Sequence, residues 1–113
     1  MTTPTNLDDI TLKSVVGDGT IEYFWHNLRS KSGMQTWEVK IKMPDGKRKI
    51  MLVRDSGISI KTKEVKVNSF NSREERNREI NRLYRECGLS QMFLSNLFNI
   101  SQPSVSLIIN GKV

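Results

Sequence analysis

The chain has 113 residues, is 36% hydrophobic and 27% charged, and carries a formal net charge of +6. That length admits one small domain, or one core with an appendage, and no apolar run approaches the roughly 18 residues of a membrane span. A single cysteine, Cys87, excludes an intramolecular disulfide, and a single histidine, His26, cannot build a zinc site with it.

The opening "MTTPTNLDD" has neither a basic n-region nor an apolar h-region, so a cytoplasmic protein without a signal peptide is expected. Residues 1–8 read as a frayed tail, and residues 9–69 as a basic antiparallel β-meander. A first short strand is expected at "ITLKSVV", with a turn at "GDG". In "TIEYFWHNL", Ile21, Tyr23 and Trp25 alternate as in a strand, while Ile21, Phe24, Trp25 and Leu28 match helical spacing. The aromatic enrichment favours the strand, which would carry His26 with no catalytic duty.

"TWEVKIKM" is clearer: Trp37, Val39, Ile41 and Met43 fall on one side, and Glu38, Lys40 and Lys42 on the other. "PDGK" supplies a tight turn, "RKIMLVRD" runs back, and "KTKEVKV" adds a further short strand. The expected product is a sheet with one apolar face and one lysine-rich face.

"NSREERNREINRLYRECG" changes the period. Ser72 and Glu75 have capping-box spacing, and Ile80, Leu83, Tyr84 and Cys87 form an apolar stripe ended by Gly88. The arginines and glutamates are expected outside, mostly as internal pairs, with Cys87 a small core residue. Ser90 can then cap "QMFLSNLF", burying Leu94, Leu97 and Phe98. Asn99 tolerates a left-handed turn, Ile100 plugs that turn, and Ser101 caps "QPSVSLIIN" with Pro103 in its first turn. Val105 and Ile108 point inward, and Gly111 ends the helix. The whole is α+β: an N-terminal antiparallel β-meander followed by a C-terminal three-helix unit at residues 70–113, expected to be one body with the meander.

The last 25 residues resemble the helix-turn-helix of phage-repressor, Cro-like and resolvase-type DNA-binding proteins. Gln91, the small Ser95, Asn99, Ile100, Val105 and Ile108 carry the likeness over residues 89–111. Ser95 and Asn99 depart from the alanine and glycine usual in the family, and both replacements are sterically permissible. The resemblance implies double-stranded DNA as partner, with the helix at 102–110 in the major groove. It assigns base contacts to Ser101, Gln102, Pro103, Ser106 and Leu107. Gln102 can offer a bidentate amide to adenine, and Gln91 and Ser104 are assigned to phosphate.

Charge is spread unevenly. Residues 29–66 hold eleven Lys or Arg against four acids, whereas residues 88–113 hold Lys112 alone. The phosphate-neutralising field is therefore expected from the meander, with Lys47, Arg48 and Lys49 forming an upstream wing helped by Lys40 and Lys42, and Lys112 as a further phosphate contact. A winged-helix-like homodimer on repeated half-sites follows as the geometric expectation, with Phe24, Trp25 and Trp37 as a candidate dimer patch. No cofactor, metal site or catalytic cluster is legible, so no enzymatic activity is expected. Two alternatives remain open. Residues 35–67 also resemble the arm-type DNA-binding sheet of integrases, which would move base contacts into the meander, and a protein-interaction or RNA-binding module is the other.

Overall fold

Alternation of period two does produce strands, and the switch to period 3.6 produces helices. A computed structural model describes residues 9–29 and 34–112; the expected tail at 1–8 lies outside them. The elements are α1 (Asp9–Val16), β1 (Thr20–Arg29), β2 (Met34–Lys42), β3 (Arg48–Asp55), β4 (Ile60–Val65), α2 (Arg73–Arg85), α3 (Gln91–Phe98) and α4 (Gln102–Ile109). The architecture is α+β, an antiparallel sheet in the order β1-β2-β3-β4 followed by three helices. Its contacts divide into two units, Met1–Val65 and Lys66–Val113.

In the first unit, "ITLKSVV" is helix and not the expected strand. Its β-branched residues lower helix propensity by only a few tenths of a kcal/mol each. Leu12, Val15 and Val16 recur at spacings of three and four and pack on the cluster of Ile21, Trp37, Val39, Ile41 and Val53. Burying such side chains is worth about 1.5–3 kcal/mol each, which outweighs the propensity deficit. The turn after α1 is tight. A Cβ at Gly19 would run into the Ile41 Cγ2 methyl and stand 2.9 Å from the Lys42 carbonyl oxygen, so only glycine lets β1 begin there.

"TIEYFWHNL" forms β1, with a register irregularity between Ile21 and Tyr23. The ring of His26 stacks on Trp37 at 4.8 Å between centroids, and its Nε2 lies 2.8 Å from Gln35 Oε1. Trp37 and Phe24 belong to the core beneath α1. Only Trp25 of the three aromatics lies on the other face, donating from Nε1 to Asn27 Oδ1 at 2.9 Å.

The second sheet face is not the lysine-rich surface that alternation suggests. Glu38, Ile50, Leu52 and Val65 are all buried on it. Leu52 stands opposite Glu38, and Asn27 Nδ2 donates to Glu38 Oε2 at 3.1 Å. A signal was present in the sequence: "IMLV" is continuously apolar, which marks a strand buried on both faces. Lys40, half-buried, pairs across from Ile50, while Lys42 is exposed.

In the second unit, α2 starts at Ser72, whose Oγ accepts from Glu75 N at 3.1 Å while its hydroxyl lies 3.4 Å from Glu75 Oε2. Ile80 and Leu83 are fully buried, but Tyr84 and Cys87 are only half-buried, and Arg82 Nη1 points at the Cys87 thiol. Gly88 takes φ 77° and closes the helix as its position suggests. Glu79 departs from the expected outer face: it is 6% exposed and grips Arg82 and Asn68. In α3 the fully buried residues are Phe93 and Leu94, whereas Leu97 and Phe98 are half-buried, Phe98 tilting against Phe70 at 5.7 Å.

Candidate functional site

Short-range capping sets the α3–α4 pair. Phe93 N donates to Ser90 Oγ at 3.2 Å and Ser104 N to Ser101 Oγ at 3.2 Å, so a serine satisfies an otherwise unpaired amide at each helix start. Between the helices, Asn99 adopts φ 54° and ψ 47°, the left-handed region that asparagine tolerates best after glycine. Ile100 N then bonds back to the Ser95 carbonyl at 3.1 Å, and Pro103 occupies the first turn of α4.

The far end of α4 is held by α2. Asn81 Nδ2 donates to the Ile108 carbonyl at 3.3 Å, and Arg85 Nη2 to the Ile109 carbonyl at 2.7 Å. Both carbonyls lie in the last turn of the helix, where Ile108 O also accepts from Gly111 N at 3.1 Å, and a cation there opposes the helix dipole. Val105, Ile108 and Ile109 complete the attachment from the buried side. The angle at which α4 leaves the body is thus set at both ends.

What α4 presents is specific. Gln102 Nε2 donates to Gln91 Oε1 at 2.8 Å, joining the first residues of the two helices. The amide fork of Gln102 is thereby oriented, with its carbonyl oxygen and second N–H still available. Gln91 keeps its own NH2 pointed away from the pair. Pro103 is exposed, Leu107 is 45% exposed, and Ser106 is half-buried, with its Oγ 3.4 Å from Asn110 Nδ2. The Ser101 oxygen is engaged in the cap, and its hydroxyl lies 2.8 Å from that of Ser104, so the two serines together keep one hydroxyl hydrogen for an outside acceptor. Lys112 is exposed just past the helix end.

The sheet cations are arranged differently. Lys47 is exposed at the β2–β3 turn, where its N–H donates to Asp45 Oδ1 at 2.9 Å. Arg48 lies opposite Lys42 and Lys49 opposite Ile41, so these neighbours project from opposite sheet faces. Arg48 is also engaged, through Nε to Glu22 Oε1 at 2.9 Å and Nη2 to Glu22 Oε2 at 3.0 Å. The guanidinium of Arg48 holds the Glu22 carboxyl below its ordinary range. Three consecutive cations in sequence therefore do not make a single basic strip.

Two residues passed over in the sequence stand beside α4. Arg73 and Arg76, from the first turn of α2, line a groove of about 610 Å³ together with Ser104, Leu107, Ile100 and Ile108. Their i,i+3 spacing was visible, but the neighbouring glutamates suggested that they were neutralised pairs. Neither arginine is in an ion pair among the described residues. No protein-family model, curated protein or solved structure matches this chain.

Proposed function

We propose that this chain is a non-enzymatic, sequence-specific double-stranded-DNA-binding protein, with α4 as the recognition helix in the major groove. It would serve as a small cytoplasmic transcriptional regulator, or as an accessory DNA-binding factor of a plasmid, phage or conjugative element. The observation that carries the reading is the Gln91–Gln102 amide pair at the start of a helix whose outer edge is polar, uncharged and open. An oriented Gln102 amide matches the N7 acceptor and N6 donor of adenine, and the Gln91 NH2 would donate to a neighbouring phosphate. Pro103 and Leu107, both exposed, offer apolar contact to a thymine methyl.

One such helix reads about half a turn of DNA, so pairing of two copies on repeated half-sites is part of the proposal. Selection of bound sequences from random duplexes tests it, and should return a preferred site containing repeated half-sites. Gln102→Ala should then abolish preference at one base pair per half-site, by about 1–3 kcal/mol, with nonspecific binding retained. Selection that returns no preferred sequence would overturn the reading.

A further inference from the structure

We infer that Arg73 and Arg76 form a second phosphate clamp, holding the DNA strand on the opposite side of α4 from Gln91. The inference rests on the DNA-binding reading above and adds a site on α2.

Helical geometry divides the open surface of α4 into two edges. Successive residues turn by about 100°, so Gln102 and Ser106 lie within about 40° of each other, and Leu107 and Ser104 lie on the far side, next to the buried Ile108. The first edge meets α3 through the Gln91–Gln102 bond. The second borders the groove whose other wall is Arg73, Glu74, Arg76 and Asn77. An adjoining hollow of about 510 Å³ is lined by Phe70, Asn71, Ser72, Arg73 and Arg76, so the two arginines form the ridge between two open spaces.

That ridge is prepared for an anion. Arg76 is braced along its own helix, with Nε and Nη2 on Asn77 Oδ1 at 3.2 and 2.9 Å, which leaves Nη1 for another acceptor. Arg73 is exposed and without a carboxylate partner among the described residues. Ser104 contributes a hydroxyl at the groove wall, and Ile100, Leu107 and Ile108 form its apolar lining. Two guanidiniums over an apolar lining suit a sugar-phosphate strand: the charges meet phosphate oxygens, and the lining meets deoxyribose. A duplex whose major groove admits α4 necessarily presents one backbone on each side of that helix. Gln91 stands toward one of them, and the arginine ridge toward the other. The arrangement also answers how a recognition helix with no cation of its own is held: the charge comes from the helix behind it.

The test uses the full chain and the duplex recovered by selection. In Arg73→Gln/Arg76→Gln, the slope of log K against log salt should become shallower by about 1.8, since each phosphate contact contributes about 0.9. Affinity should fall by the same factor for preferred and scrambled duplexes, and the double lysine variant should restore most of the slope. Phosphate-ethylation interference should show clusters of interfering phosphates on both strands, with Gln91→Ala erasing one and the arginine variant the other.

Site-selective binding by the parent chain with an unchanged slope in the glutamine variant would overturn this clamp and leave the DNA-binding reading standing. Erasure of the same cluster by both variants would do likewise. A lost self-association at unchanged slope would make the groove a seat for a second copy, again overturning the clamp. Failure of the parent chain to select any site would overturn both.

Discussion

Two arginine–glutamate forks of the same chemistry occur in the two units, and their surroundings differ. In the sheet unit, Arg48 meets Glu22 with side chains 52% and 27% exposed. In the helical unit, Arg82 meets Glu79 at 2.6 Å with side chains 29% and 6% exposed. The Glu79 carboxylate also accepts from Asn68 N at 2.7 Å and Asn68 Nδ2 at 3.3 Å, and Arg82 continues to the Lys66 carbonyl at 2.8 Å. Water competes for the first fork and salt screens it. The second fork is largely withdrawn from water, and taking away its carboxylate removes an acceptor shared by four donor atoms, two on Arg82 and two on Asn68. One is a surface contact. The other ties the segment before α2 onto that helix.

That contrast orders the expected effects. Glu79→Ala should cost the helical unit about 2 kcal/mol, measured by denaturant unfolding, because the buried carboxylate is the acceptor that Arg82 and Asn68 share. A midpoint equal to the parent's would remove the distinction between the two forks. The same carboxylate should give an acid signature. Arg82 first, with the Asn68 hydrogen bonds, holds the Glu79 carboxyl below its ordinary value against the opposing effect of burial. A lowered folded-state pKa means that its stabilisation is complete above the unfolded value of about 4.3 and is lost as pH falls through the folded one. Glu79→Gln should therefore flatten the decline in stability below about pH 4.3; an equally steep decline would assign acid sensitivity to other groups.

A smaller effect isolates backbone geometry from charge. Asn99→Ala should cost about 1 kcal/mol, because alanine cannot hold φ 54° without strain. Asn99→Gly should be neutral or slightly stabilising, and a loss with glycine as large as with alanine would locate the cost in the asparagine side chain. Smallest of all, Arg48→Ala should leave the thermal midpoint where it is, since both partners face solvent. A clear drop would mean that the sheet fork is more than a surface contact.

The candidate site was legible in part. Ser72, Ser90 and Ser101 as caps, Asn99 as the left-handed turn and Val105 with Ile108 as the inner side of α4 all depend on residues within about four positions of each other. The Gln91 and Gln102 positions were also recognisable, but not their hydrogen bond, which spans eleven residues and needs the turn to be built first. The role of Arg85 and Asn81 at the α4 carbonyls was invisible, because charge patterning along α2 says nothing about which helix lies against it.

By itself, the sequence determined the kinds of element from β1 onward, most of their limits, the left-handed turn and the polar edge of α4, because each follows from local spacing and local backbone chemistry. Tertiary structure alone decided that "ITLKSVV" is a helix, that Glu38 and Glu79 are buried, and which cations remain unpaired. Arg48 is paired with Glu22 across 26 residues, while Arg73 and Arg76 have no carboxylate partner among the described residues. Burial and pairing depend on which surfaces come together, and strand register and helix packing fix those over distances that no local pattern spans.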